Sequence, residues 1–169
     1  MFKWLCLLCF MPLTSWAISF TPSIEESTWT LNGDKFACSI VQPIPRYGKA
    51  EFFHEAGEDL TFRLHTNKNL MKTGKASVSV EPPIWLPGKP YLNMGYTSVN
   101  QSKIPLTVDS NRSNRLMQAL MEGMQPNFTR KSRYDVRESI SVMVSPANFD
   151  QYYEAYLTCI AGLLPVNFN

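Results

Sequence analysis

Two cysteines, Cys38 and Cys159, constrain this chain more than any other pair of residues, because a bond between them closes a loop of about 120 residues. They are the pair left once an export leader is set aside. Lys3 supplies a short positive start, and Trp4 to Leu13 is an apolar run of ten residues. Ser15-Trp16-Ala17 then puts small residues at the two positions a signal peptidase reads. The pattern predicts cleavage after Ala17, with residues 1–17 as signal peptide and 18–169 as a single mature domain. Cys6 and Cys9 leave with the leader. A lipoprotein cut at Cys9 is the alternative, but it leaves an apolar core of only a few residues and sets Leu8, not a small residue, before the cysteine. In an exported chain, two cysteines read as a disulfide before they read as a metal or catalytic pair. Two separate buried thiols are the other possibility. A bridge ties an early strand to the last helix and, by chain entropy, contributes about 4–5 kcal/mol.

The ten-residue run is too short to cross a bilayer, which takes about 20 residues, and no later segment is long and apolar enough. A hydrophobic share of 44% with a net charge of +2 excludes a disordered chain. The same balance argues against a dedicated nucleic-acid binder, whose domain is strongly basic. At 169 residues the chain suffices for one domain with a proper core.

The middle of the chain reads as strands. Phe36 to Val41 is a short apolar strand with Phe36, Cys38 and Ile40 on one face. Lys49 to His54 is strand-like, and Leu60, Phe62 and Leu64 alternate with polar neighbours, with Ala56-Gly57 between as a hairpin turn. Val78 and Val80 continue the pattern. Val136, Ile140, Val142 and Val144 alternate over 135–145, interrupted on that face by Glu138. Two helices punctuate the strands. Asp109 or Ser110 caps one that runs to about Glu122, with Leu116, Met117, Leu120, Met121 and Met124 as its stripe and Gly123 and Pro126 as its stop. That Met-rich stripe reads as core, not as a cofactor box. The other helix runs from about Pro146 to Ala161, with Tyr153, Tyr156, Leu157 and Ile160 as its apolar face and Cys159 on its last turn. The order predicts an α+β fold, an antiparallel β-sheet or open barrel-like core with two main packed helices and one disulfide.

Motifs for chemistry are scarce. The chain has no G-x-S-x-G, S-x-x-K, P-loop or G-x-G-x-x-G. His54 and His65 fall on neighbouring strands with Glu51 or Glu55 nearby, but the spacing fits no established ligand pattern. Glu25-Glu26 and Glu58-Asp59 read as solvated turn charges. No catalytic, metal or cofactor residue is assigned. Two features suggest contact surfaces. Between Asn111 and Arg137 lie Arg112, Arg115, Arg130, Lys131, Arg133 and Arg137 against Glu122 and Asp135, a basic stretch suited to lipid phosphates, a polyanionic glycan or an acidic partner. Ile44-Pro45-Arg46-Tyr47-Gly48-Lys49-Ala50 is a stiff turn between strands, read either as a packed Tyr47 with a turn glycine or as a displayed surface.

The IPRYGKA segment shortly after Cys38 resembles the segment at the same place in the MotY N-terminal domain family, envelope components of sodium-driven flagellar motors. Three collinear features agree: the loop Pro82-Pro83-x-Trp85-x-Pro87-Gly88-x-Pro90, Cys159 in a Tyr-rich helix, and the closing Leu163-Leu164-Pro165-x-x-Phe168. The resemblance implies a non-enzymatic periplasmic scaffold without cofactors, joined to the basal body in a ring (the T ring). Its partners are MotX-like and basal-body proteins, it helps retain stator units, and its Cys38 and Cys159 are bonded. Candidate partner contacts are then Arg46, Tyr47, Lys49, Trp85, Arg130, Lys131 and Arg133. Family members continue into an OmpA-like peptidoglycan-binding domain with no counterpart in these residues, so no wall-binding residue is carried over. Alternatives are an accessory subunit of another envelope machine, such as a secretion system, and a small periplasmic module for a glycan or lipid headgroup.

Overall fold

A computed structural model describes residues 16–83 and 86–164. Its strands are β1 (Trp16–Phe20), β2 (Thr30–Gly33), β3 (Ala37–Ile44), β4 (Gly48–Glu55), β5 (Thr61–Thr66), β6 (Gly74–Glu81), β7 (Leu92–Val99), β8 (Leu106–Val108), β9 (Gln125–Lys131) and β10 (Glu138–Met143). The helices are α1 (Ser110–Met121) and α2 (Phe149–Ala161). All ten strands form one sheet in the order β1-β10-β9-β6-β7-β8-β5-β4-β3-β2. Every pairing is antiparallel except that of β1 with β10.

The apolar alternation decides which face turns inward. Cys38 and Ile40 of β3, Phe52 of β4, Phe62 and Leu64 of β5, Val78 of β6, Phe128 of β9 and Val142 of β10 are all fully buried. An open sheet of this width curls. Phe62 and Phe128 stack with centroids 4.9 Å apart although three strands separate β5 from β9. The result is a half-barrel whose open side is filled by helices. Leu116, Met117 and Leu120 of α1 and Phe149 and Tyr156 of α2 enter the same core. Trp29, fully buried, packs edge-on against Phe149 at 4.8 Å.

Local chemistry fixes the helix ends. The Asp109 carboxylate accepts from the Arg112 backbone N–H at 3.1 Å and caps α1. Ser113, one turn in, donates to the Val108 carbonyl and accepts from the Phe62 backbone N–H at 2.8 Å, tying α1 to β8 and β5. Gly123, at φ 78, turns the chain out of α1 into β9.

Two long-range ties hold the barrel's open side. The first is the Cys38–Cys159 disulfide, which joins β3 to the last turn of α2 with Cα atoms 6.1 Å apart. Gly33 on β2 leaves room for it, since a Cβ there would lie 2.5 Å from the Cys159 sulfur. The second is Gln42, fully buried on β3. Its Nε2 donates to the Ser145 carbonyl at 2.9 Å and its Oε1 accepts from the Ser145 N–H at 2.8 Å. The side chain thus replaces a missing backbone partner across 103 residues of sequence.

The fold class and the disulfide are as expected, and four positions differ. Phe36 is exposed because it lies on the bend before β3, where Asp34 accepts from its N–H. Val136 is 72% exposed because β10 begins only at Glu138, which explains the interruption in the expected alternation. Met121 and Leu157 sit at the margins of their helical stripes and face outward. The leader before Trp16 and the closing 165–169 lie outside the described residues, and the expected cut after Ala17 falls within β1.

Replacing Cys38 and Cys159 by serine is expected to cost about 4 kcal/mol in urea unfolding. Gly33→Ala is expected to raise the free-thiol count of protein purified after leader removal above zero, where the native sequence is expected to give none. Gln42→Leu leaves the Ser145 N–H and carbonyl buried without partners and is expected to destabilise by about 2 kcal/mol or more in the same assay.

Candidate docking surface

The β3–β4 connection is a three-residue hairpin, Pro45-Arg46-Tyr47, closed by a Tyr47 N–H bond to the Ile44 carbonyl at 3.1 Å. Pro45 presets φ at the first turn position, and Arg46 follows at φ 65, a position glycine or asparagine usually fills. Gly48, at φ 156, passes so close to β5 that a Cβ would strike the His65 carbonyl at 2.2 Å. The Asn67 N–H donates to the Tyr47 carbonyl at 2.9 Å, while the Thr66 hydroxyl, 3.3 Å from that carbonyl, has the Lys68 carbonyl as its nearer acceptor. The hairpin is therefore held rigidly from beneath while the Arg46 side chain stands in solvent.

Tyr47 does not join Arg46 at the surface. It is 1% exposed, its ring lies 5.4 Å from Phe20, and burial pushes its phenol well above the usual range. The ring belongs to the core because the turn residue preceding Gly48 points back over the end of the sheet. Lys49 is half-exposed and engaged. Its Nζ lies 3.2 Å from Glu51 Oε1, and the other carboxylate oxygen takes His65 Nε2 at 2.7 Å. Burial pushes the Glu51 carboxyl up, but hydrogen bonds and charge from His65 and Lys49 outweigh it and hold the group below its ordinary value.

Strand register separates the two histidines. His54 lies opposite Cys38 and shares its face, whereas His65 lies opposite Lys49 on the other face. Among the described residues no group of three or more His, Cys, Asp or Glu could hold a metal ion. A cavity of about 400 Å³ lined by Phe53, Glu55, Ala56, Glu58, Asp59, Thr61 and Arg63 has its arginine spent on the Phe53 ring, 3.8 Å from the centroid.

The basic stretch divides. Arg112 pairs with Asp109 at 2.6 Å and donates to the Tyr96 carbonyl at 2.7 Å, so it serves the start of α1. Arg130 is a clamp, not a displayed contact: its guanidinium donates to the carbonyls of Lys72, Thr73 and Lys75 at 3.0, 2.8 and 2.9 Å. Lys131 and Arg133 are exposed at the β9–β10 hairpin. Their neighbours are lysines from elsewhere in the sequence, because Met71 bridges to Ser132 and the Lys72 N–H bonds the Lys131 carbonyl at 2.9 Å. Lys68 and Lys72 thus join this surface, a grouping that charge and sequence proximity alone did not reveal. Trp85 lies outside the described residues.

Glu51→Gln tests the buried triad. A depressed carboxyl contributes stability above its unfolded pKa and loses it as pH falls through the folded one. The variant is expected to be less stable than the native chain at pH 7, with the difference closing as pH drops below about 4 in thermal melts.

A family model described as the MotY N-terminal domain matches residues 20–165. The chain is also 26% identical over 178 aligned residues to the sodium-type flagellar protein MotY of Vibrio parahaemolyticus serotype O3:K6 (strain RIMD 2210633). That alignment covers 99% of this chain and 60% of the relative, so the chain spans well under two thirds of that protein's length. With a match that runs from the end of β1 past the last turn of α2, through the turn and both bonded cysteines, the chain belongs to the MotY N-terminal domain family.

Proposed function

We propose that this domain is a non-enzymatic periplasmic scaffold of a sodium-type flagellar motor, a ring subunit at the basal body that helps retain stator units beside a MotX-like partner. The observation that carries this reading is the family match across residues 20–165. Export by the N-terminal leader fits the disulfide, which forms in an oxidising compartment. Among the described residues no helix is long and apolar enough to cross a membrane.

Arg46 is the foremost contact. Left-handed backbone costs a non-glycine residue about 1 kcal/mol, and such strain collects where a side chain must be presented. Here the turn is braced by Pro45, by Gly48 against β5 and by the Asn67 N–H on the Tyr47 carbonyl. Lys131 and Arg133 extend the surface, and Trp85 in the proline-rich loop is a second contact.

Arg46→Gly separates fold from docking. Relief of the left-handed penalty offsets the extra freedom of glycine in the unfolded chain, so thermal stability is expected to hold or rise. Co-purification with flagellar basal bodies is expected to fall, as it is for Trp85→Ala. A glycine variant that assembles like the native chain removes Arg46 from the interface. Recovery of another envelope machine in place of basal bodies moves the domain to that machine.

A further inference from the structure

The half-barrel is electrically polarised along its strands, and the poles are built from segments remote in sequence. At one end lie the β3–β4 turn, the 67–73 connection between β5 and β6, the 100–105 connection between β7 and β8, and the β9–β10 hairpin. Their proximity follows from the bonds between them: Asn67 N–H to the Tyr47 carbonyl, Thr66 N–H to the Lys103 carbonyl at 3.0 Å, and Arg133 N–H to the Leu70 carbonyl at 2.8 Å. The first connection displays Arg46 and the second Lys68 and Lys72. Lys103 stands on the third, and Lys131, Arg133 and Arg137 stand on or beside the fourth. None of these exposed cations is in an ion pair among the described residues. Asp135 is the carboxylate on the fourth connection, and Glu138 stands beside it at the start of β10. The opposite ends of β3, β4 and β5 carry exposed Asp34, Glu55, Glu58 and Asp59 against one exposed cation, Lys35.

The basic end also bears apolar side chains at its tip. Tyr134 and Val136 are each 72% exposed, in the β9–β10 hairpin between Arg133 and Arg137. The chain enters β1 from this side too, since Trp16 pairs with Glu138. We infer that this end docks on an anionic phospholipid surface, with the cations on lipid phosphates and the Tyr134–Val136 tip in the interfacial layer. Two features select a bilayer over a folded protein partner. The cations are spread over four loops, mostly as lysines, which suits a plane of phosphates better than a bidentate pocket. The apolar part of this end is confined to one hairpin tip, and an interfacial aromatic beside basic residues is enough for weak membrane attachment. This inference does not depend on the flagellar assignment.

The test is co-sedimentation of the exported, oxidised protein with vesicles of phosphatidylglycerol and, separately, of phosphatidylcholine. Binding is expected on phosphatidylglycerol alone and should be lost in 0.5 M salt, a concentration that leaves a Debye length of only a few ångströms. Lys68→Gln and Lys131→Gln, one from each remote segment, should each lower binding by about fivefold. Lys35→Gln, which removes a cation from the opposite end, should not. Tyr134→Ser with Val136→Ser should weaken vesicle binding but leave retention on soluble heparin unchanged, with native melting temperature and no free thiol. The inference is overturned by equal binding to phosphatidylcholine, by no binding to phosphatidylglycerol at low salt, or by an equal loss in Lys35→Gln. It is also overturned if the tip variant binds vesicles as the native chain does, or if the protein sediments alone through self-association of its unlike ends.

Discussion

One buried amide holds the open side of this sheet. A ten-stranded sheet that curls without closing leaves backbone groups on its rim with no ladder partner, and buried groups of that kind are costly. Gln42 answers for the Ser145 N–H and carbonyl at once, so the end of β3 and the segment after β10 behave as neighbours. With that clasp in place, α2 starts at Phe149 directly over Trp29 and Phe52, and its last turn delivers Cys159 to Cys38. The disulfide fastens the far end of a helix whose near end the clasp has already positioned.

The same stiffness accounts for the surface. A left-handed arginine at a hairpin tip survives only where its surroundings leave the backbone no alternative. Gly48 pressed on the His65 carbonyl, and the Tyr47 carbonyl held by the Asn67 N–H, supply that constraint. Arg130 does comparable work on the β5–β6 connection, where three carbonyls converge on one guanidinium beside Gly74 at φ 131. An apparent member of a basic patch is thus the brace that holds Lys72 in it.

Polarity along the strands is a consequence of antiparallel connectivity. Successive hairpins alternate between the two ends of a sheet, so charges on alternate loops accumulate at one end whatever their separation along the chain. Lys68 and Lys72 meet Lys131 and Arg133 for this reason. Arg112 and Arg115, closer in sequence to Arg133, sit instead on α1, which begins where β8 ends, beyond Val108 and away from Lys103.

Short-range pattern was sufficient for much of this molecule. Alternating apolar residues marked the cores of β5 and β10, Asp109 and Gly123 bounded α1, and two cysteines behind a leader-like N-terminal pattern indicated the bridge. The IPRYGKA turn and its collinear companions pointed to the family. These features were legible because each is written within a few residues or in composition. The fate of Tyr47 and Arg130 was not, since a ring in a turn and a cation in a basic run look alike whether buried, clamped or displayed. Nor were β7, β8 and β9 evident: Gly95 and the register shift opposite Ser77 and Ser79 of β6 break the alternation of β7, β8 has only three residues, and Pro126 interrupts β9. Which side chains meet depends on strand register and on how far the sheet curls, and both are set by contacts between segments tens of residues apart. The Gln42 clasp, the separation of His54 from His65 and the gathering of cations at one end therefore belong to the tertiary structure alone.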